Sequence, residues 1–293
     1  MGKNPYRLSK QVEADPADRR AFDALATQVF GLSFEEWHKA GYWTGRYLPY
    51  TLFDGSRAVA NVSVNRMSFC YAGRRREYIQ LGTVMTAPGY RGQGLGRFLM
   101  ETVLDEWAPR CDGFYLFANK SALDFYPKFG FSRMPQHQTA LPVVPRPGRA
   151  RKMEWNSERD RALLWERYRQ GSPFCAFPML DQFPLLMFYG TGPLRDAMYD
   201  LPALGVSAVV EQEGDTLCCL GLFGKTSASL TQVLSALAPA GTRRAVLGFP
   251  PFKQEPGFST APVPEQEDTL FVRGRDLAFF HKSPLLFPLL SHA

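Results

Sequence analysis

Phe22, Leu25, Ala26, Val29 and Phe30 recur at helical spacing, which predicts an amphipathic helix. Asp15 is a candidate N-cap, Pro16 suits the first helical position, Asp18 favours the positive helix end and Gly31 closes the pattern. Ser33 can cap a second helix containing Glu35, Glu36 and Trp37. The period then falls to two. Residues 50–53 read as a strand closed by the turn Asp54-Gly55-Ser56, and residues 57–71 as a long antiparallel strand. In the long strand Ala60, Val62 and Val64 lie opposite Asn61, Ser63 and Asn65. Ala72-Gly73 with Arg74, Arg75 and Arg76 makes the next turn, and residues 77–86 return. Gly92, Gly94 and Gly96 follow, and then Leu95, Phe98, Leu99, Val103, Leu104 and Trp107 restore the helical period. Residues 114–118 form a short continuous apolar run, as in a buried parallel strand. Residues 139–144 are expected as the last strand of this half.

The second half predicts helices over residues 158–169 and Leu230–Leu237. Between them, residues 206–212 and 216–223 form a hairpin across Gly214-Asp215. Strands are expected over residues 244–249, closed by Pro250-Pro251, and over residues 268–272. Prolines and basic residues crowd the stretch between the halves: Pro145, Arg146, Pro147, Arg149, Arg151 and Lys152. Length suggests two domains. Residues 1–144 are expected as an α/β unit, 145–152 as a linker, and 153–293 as a smaller α+β unit.

Composition narrows the function classes. Hydrophobic residues make up 45% of the 293-residue chain and aromatics 14%, enough for sizeable cores. The net charge of +6 suits a polyanionic ligand. It also admits nucleic acid, but the basic residues are spread, and the densest group, Arg74 to Arg76, reads as a hairpin tip. Five cysteines without a C-x-x-C pair, a polar start and no membrane-length apolar run lead to the expectation of a reduced, soluble, cytoplasmic protein. His38, His137, His281 and His292 lack metal-ligand spacing, so no metal is expected.

The stretch 81–104 therefore reads as strand, glycine-rich turn and helix. Such a turn aims backbone N–H groups and the positive end of the helix dipole at one point, and glycine lets an anion approach closely. A phosphate or pyrophosphate is the matching ligand. The G-x-G-x-x-G dinucleotide fingerprint and the Gly-Lys-Ser/Thr ending of the P-loop are both absent. Arg91-x-x-Gly94-x-Gly96 instead resembles the acetyl-CoA pyrophosphate loop of the GNAT superfamily of N-acetyltransferases. About thirty residues on, Asn119, Ala122, Phe125, Tyr126, Lys128, Gly130 and Phe131 fall in register on a second pattern of that superfamily. The resemblance covers roughly residues 15–141. Within it, the long strand, arginine-tipped hairpin and lead-in from Gly82 to Thr86 look most like the Eis-type multi-domain acetyltransferases.

The resemblance implies a GNAT fold, with a mixed, mostly antiparallel sheet flanked by helices. It implies acetyl-CoA as donor and a small-molecule or peptide amine as acceptor. The turn Arg91, Gly92, Gln93, Gly94, Leu95, Gly96 and Arg97 would hold the pyrophosphate. Backbone groups of Val84, Met85 and Thr86 would meet the pantetheine arm and thioester. Asn119, at a helix start, would also touch the arm. Tyr126 would protonate the leaving thiolate, although Pro127 bends the chain there. Its other reading is a buried ring. The aromatic stretch with Trp37, Tyr42 and Trp43 is an acceptor wall or ordinary core. For the base, Glu77, His38, the chain terminus at Ala293 and a water chain all remain open. The second half is a degenerate GNAT-like copy or an unrelated unit that completes the cleft. If the Eis likeness holds, a polyamine-like or aminoglycoside-like acceptor is conceivable. An acyl-CoA-binding regulatory protein with impaired catalysis is the alternative function. A nucleic-acid binder is a third.

Overall fold

The computed structural model describes residues 5–146, 148, 150–263, 268–274 and 285–293. The first half contains β1 (Arg7–Ser9), α1 (Pro16–Phe30), α2 (Glu35–Lys39), β2 (Tyr47–Asp54), β3 (Arg57–Tyr71), β4 (Arg74–Thr86), α3 (Leu95–Trp107), β5 (Gly113–Ala118), β6 (Ser132–Arg133) and β7 (His137–Pro142). The second contains β8 (Arg151–Lys152), α4 (Glu158–Gln170), β9 (Met179–Leu180), α5 (Phe183–Thr191), β10 (Met198–Leu201), β11 (Val206–Glu213), β12 (Thr216–Gly224), α6 (Leu230–Leu237), β13 (Arg244–Leu247), β14 (Ser259–Pro262) and β15 (Thr269–Arg273).

Among the described residues one sheet runs β1-β2-β3-β4-β5-β15-β6, with β9 paired to β3. Its centre is buried on both faces. On one face, Leu95, Leu99, Met100, Val103 and Leu104 of α3 pack on Val62, Val64, Ile79 and Leu81. On the other, Phe22, Leu25 and Ala26 of α1 join Phe34, Trp37, Trp43 and Tyr47 in an aromatic cluster. Asp15 caps α1 through its carboxylate, 2.7 Å from the Ala17 N–H, and Gly31 ends it in the left-handed conformation. Most of β3 is buried, and its polar face bonds internally. Thr51 Oγ1 donates to Asn61 Oδ1 at 2.7 Å, and Asn61 Nδ2 donates to Ser63 Oγ at 2.9 Å. Buried polar groups satisfied in this way avoid the cost of desolvation.

The second sheet runs β14-β7-β13-β12-β11-β10-β8. It repeats the plan of the first. In each, an antiparallel hairpin (β3–β4, β11–β12) is followed by a helix (α3, α6) and a strand parallel to the hairpin's second arm (β5, β13). In each, the next neighbour is antiparallel and comes from the other half of the chain. β15 flanks β5, and β7 flanks β13.

This exchange corrects two expectations. Residues 139–144 do not close the first sheet, because β7 pairs in the second with β13 and β14. The strand expected over residues 268–272, observed as Thr269–Arg273, belongs to the first sheet. The stretch expected as a linker is anchored to the second half. Arg151–Lys152 pairs with β10, and the Arg146 N–H donates to Ser235 O at 2.9 Å. Pro147, Arg149 and His281 lie outside the described residues.

Candidate active site

β4 and β5 are parallel neighbours only over Tyr78–Gly113, Ile79–Phe114 and Gln80–Tyr115. Beyond Gln80 they part, and β5 continues along β15. The register between β3 and β4 also shifts here. Asn61 faces Met85 while Ser63 faces Gly82, so β4 carries an extra residue. Thr83 takes up that bulge at φ 47. Its carbonyl accepts from Asn61 Nδ2 at 2.9 Å, and its hydroxyl lies 2.9 Å from Tyr47 Oη. The buried network on β3 thus holds the strained residue in place.

The parting strands open a cavity of about 890 Å³. Val84, Met85, Thr86, Arg91, Gly92, Gly94, Leu95, Gly96 and Arg97 line one end, with Asn119, Phe125 and Tyr126 beside them. Arg46, Asn65, Met67 and Gln80 line the other end, under Pro184, Leu185, Phe188 and Tyr189 from α5. Trp37 Nε1 donates to the Pro184 carbonyl at 2.6 Å and ties α2 to α5.

At the first end the chemistry is that of an anion site. Gly92 and Gly94 both have left-handed φ, at 78° and 79°. Gly94 is the N-cap of α3 and makes no side-chain cap, so the first N–H groups of the helix are left for a ligand. Arg91 and Arg97 add positive charge, and Arg91 Nε donates to Thr86 O at 3.3 Å. A Cβ on Gly94 would meet nothing within 4 Å. Backbone conformation, not space, calls for glycine there. A Cβ on Gly96 would make only ordinary contacts, 3.6 Å from Phe125 and 3.8 Å from Thr86. The turn is clamped from outside, where Tyr90 Oη donates to Asp54 at 2.7 Å and Tyr6 Oη to Gln93 Oε1 at 2.9 Å. Gln93 therefore faces the clamp and does not line the cavity.

The equivalent place in the second half is closed. Ser229 and Gln232 form a capping box at the start of α6, which satisfies the Ser229 and Gln232 N–H groups, whereas α3 has no side-chain cap. A Cβ on Gly221 would lie 2.7 Å from Leu290 Cδ1, and one on Gly248 3.2 Å from Leu289 Cδ1. Leu289 and Leu290 thus occupy the space beside β12 and β13.

Tyr126 is buried and opens a 3₁₀ turn, Tyr126–Phe129. Its ring packs on Phe125, Phe131 and Phe271. Burial pushes the phenol up to about 12, which keeps it protonated as a proton donor requires. No α-helix follows Asn119, contrary to expectation. The chain makes the 3₁₀ turn Lys120–Ala122, and the Asn119 side chain makes no cap; it accepts from Ser121 Oγ at 2.7 Å. Pro127 and the closely following Gly130 leave no room for a longer helix.

Of the three proposed wall residues, only Trp37 lines the cavity. Trp43 is buried, its Nε1 donating to Tyr47 O at 3.2 Å, and Tyr42 packs on Phe183. Glu77 stays at the hairpin end, bonded to Arg75 and Ser68, and His38 lies 3.8 Å from Glu13. Neither lines the cavity, whereas His292 and Ala293 do. His292 stacks on Phe117 with centroids 3.5 Å apart, and its backbone carbonyl accepts from Tyr189 Oη. Gln80 Nε2 donates to Ala293 O at 3.3 Å. α5 and this tail complete the site, and the apolar sequence of α5 gave no amphipathic period to find it by.

Residues 53–133 match the family model of the acetyltransferase (GNAT) domain. No curated protein sequence matches the chain. Several solved structures share the fold over most of its length. A protein of unknown function from Enterococcus faecalis is 15% identical at a TM-score of 0.61, covering 94% of this chain and 74% of that one. A GCN5-related N-acetyltransferase from Kribbella flavida is 16% identical at 0.57, covering 92% and 72%. Eis1 from Mycobacterium abscessus is 16% identical at 0.55, covering 90% and 72%. The chain carries a GNAT acetyltransferase domain, and its likeness to the Eis1 fold takes in the second half as well.

Proposed function

We propose that this chain, built on a GNAT acetyltransferase domain, transfers an acetyl group from acetyl-CoA to a primary amine by direct transfer in a ternary complex. The observation that carries the reading is the uncapped N-terminus of α3, with its two left-handed glycines, at one end of a cavity that also receives Tyr126. Arg91, Arg97 and the N–H groups of residues 92–97 suit the pyrophosphate. The splayed edge of β4 at Val84 to Thr86 suits the pantetheine arm, and Asn119 lies at its side. The amine nitrogen forms its bond to the acetyl carbon as the carbon–sulfur bond breaks. Tyr126 gives its proton to the departing sulfur, and the amine releases its own to water in the cleft. The division at residues 145–152 belongs to this proposal, with β7 crossing to the second sheet and β9 and β15 to the first. Five free cysteines suit a reducing compartment such as the cytoplasm. No described helix is long and apolar enough to cross a membrane.

The test is release of CoA thiol from acetyl-CoA with amines. Wild-type turnover lost in Tyr126→Phe, with acetyl-CoA affinity kept, supports the assignment. Binding without turnover for every amine would favour the alternative of an acyl-CoA-responsive regulator.

A further inference from the structure

The buried hydrogen-bond chain on β3 and β4 has a direction. The Thr83 carbonyl can only accept, so the Asn61 atom 2.9 Å from it is the amide Nδ2. Asn61 Oδ1 correspondingly accepts from Thr51 Oγ1 at 2.7 Å. The second Nδ2 proton goes to Ser63 Oγ at 2.9 Å, and Ser63 Oγ donates to Tyr47 Oη at 3.0 Å. Tyr47 Oη then has its own proton to place, and Thr83 Oγ1 lies 2.9 Å away as the acceptor. Burial raises the Tyr47 phenol above its ordinary range, so the proton stays on it.

The chain ends on the Thr83 hydroxyl, which has one proton and two lone pairs. One lone pair receives Tyr47, and among the described residues nothing accepts the proton. The Ala293 main chain at the same end accepts from Gln80 Nε2, not from Thr83. Thr83 is half-buried and lines the cavity. It is held at φ 47 in the β4 bulge. Left-handed backbone is costly for a β-branched residue, and such strain marks a functional position. Thr83 directly precedes the edge at Val84 to Thr86 that suits the pantetheine arm. An arm that runs from the pyrophosphate turn past Thr86, Met85 and Val84 brings its far end, the thioester, to Thr83.

We infer that the Thr83 hydroxyl donates a hydrogen bond to the acetyl carbonyl oxygen and stabilises the negative charge that this oxygen gains during transfer. This rests on the acetyltransferase reading above. The oxygen takes up charge as the amine nitrogen bonds to the acetyl carbon, and returns it as the carbon–sulfur bond breaks. Thr83 keeps its proton throughout. Tyr47, Ser63 and Asn61 act through Thr83 as positioning residues, because their bonds leave its proton only the cavity to point into. A donor fixed before the reaction starts needs no reorganisation when the charge develops.

The experiment is infrared difference spectroscopy of acetyl-CoA, isotope-labelled at the acetyl carbonyl and bound to the full chain, beside calorimetry and thiol release. The carbonyl band should lie at lower frequency in the wild-type complex than in free acetyl-CoA. It should move back up in Thr83→Val, which keeps the side chain's shape and loses the hydroxyl, and return to the wild-type position in Thr83→Ser. The acetyl-CoA Kd of Thr83→Val should change by less than about tenfold, the scale of one neutral hydrogen bond. Its kcat with spermidine or 2-phenylethylamine should fall about 10²- to 10³-fold, as for loss of one oxyanion donor. Tyr47→Phe keeps the Thr83 hydroxyl but frees it to turn, so its kcat should fall less than that of Thr83→Val. If neither amine is used, the band alone decides. An unmoved band or an unchanged kcat in a Thr83→Val protein that binds acetyl-CoA would overturn this inference and leave the acetyltransferase reading intact. Failure of the wild type to bind acetyl-CoA would overturn both.

Discussion

The tail that closes the cleft holds a titratable group in the wrong place for a proton. The His292 ring stacks on Phe117, its Nε2 is buried without a partner, and burial lowers its pKa from 6.5 to about 3. The unfolded chain therefore binds a proton below pH 6.5 that the folded chain refuses. The stabilising difference is complete above pH 6.5 and is lost as pH falls toward 3. Each pH unit in that window costs about 1.4 kcal/mol. Between pH 7.5 and 5.0 the loss is about 2 kcal/mol. The perturbation that isolates it is His292→Phe, which keeps a ring on Phe117 and removes the titration. Urea unfolding of both proteins from pH 7.5 to 5.0 gives the comparison. Wild-type stability should fall about 2 kcal/mol further than that of His292→Phe over the range. Parallel losses in the two proteins would refute a buried neutral His292.

Tyr126→Phe should lower kcat about 10²- to 10⁴-fold with little change in acetyl-CoA affinity, read by thiol release and calorimetry. Gly94→Ala should destabilise the chain by about 1–2 kcal/mol, because φ 79 is costly for a residue with Cβ; Gly96→Ala, with its contacts at 3.6 Å and beyond, should be near neutral in the same melts. Gly82→Ala would place a Cβ 2.3 Å from Ala293 O and should loosen the tail, seen as faster hydrogen exchange over residues 289–293.

The first half was legible because its periods are clean. β3 runs over Arg57–Tyr71 as the alternation predicts, and α3 begins at Leu95, directly after Gly94. The anion turn was legible because left-handed backbone needs glycine at Gly92 and Gly94. The strand exchange was not, because β7 and β15 are short runs whose pairing partners lie far along the chain and leave no local trace. The same applies to the site's second wall. Phe183–Thr191 is apolar all round because it is pressed between the two halves, so no stripe marks which side faces the cavity. Trp43 and Tyr42 read like Trp37 in sequence, and tertiary packing alone keeps them off the cavity.

Calorimetric titration of the full chain with acetyl-CoA counts the cofactor sites. One site per chain is expected, because α3 is open and α6 is capped, with loss of binding in a folded Gly94→Glu variant. No binding, two sites per chain, or undiminished binding by Gly94→Glu would contradict it.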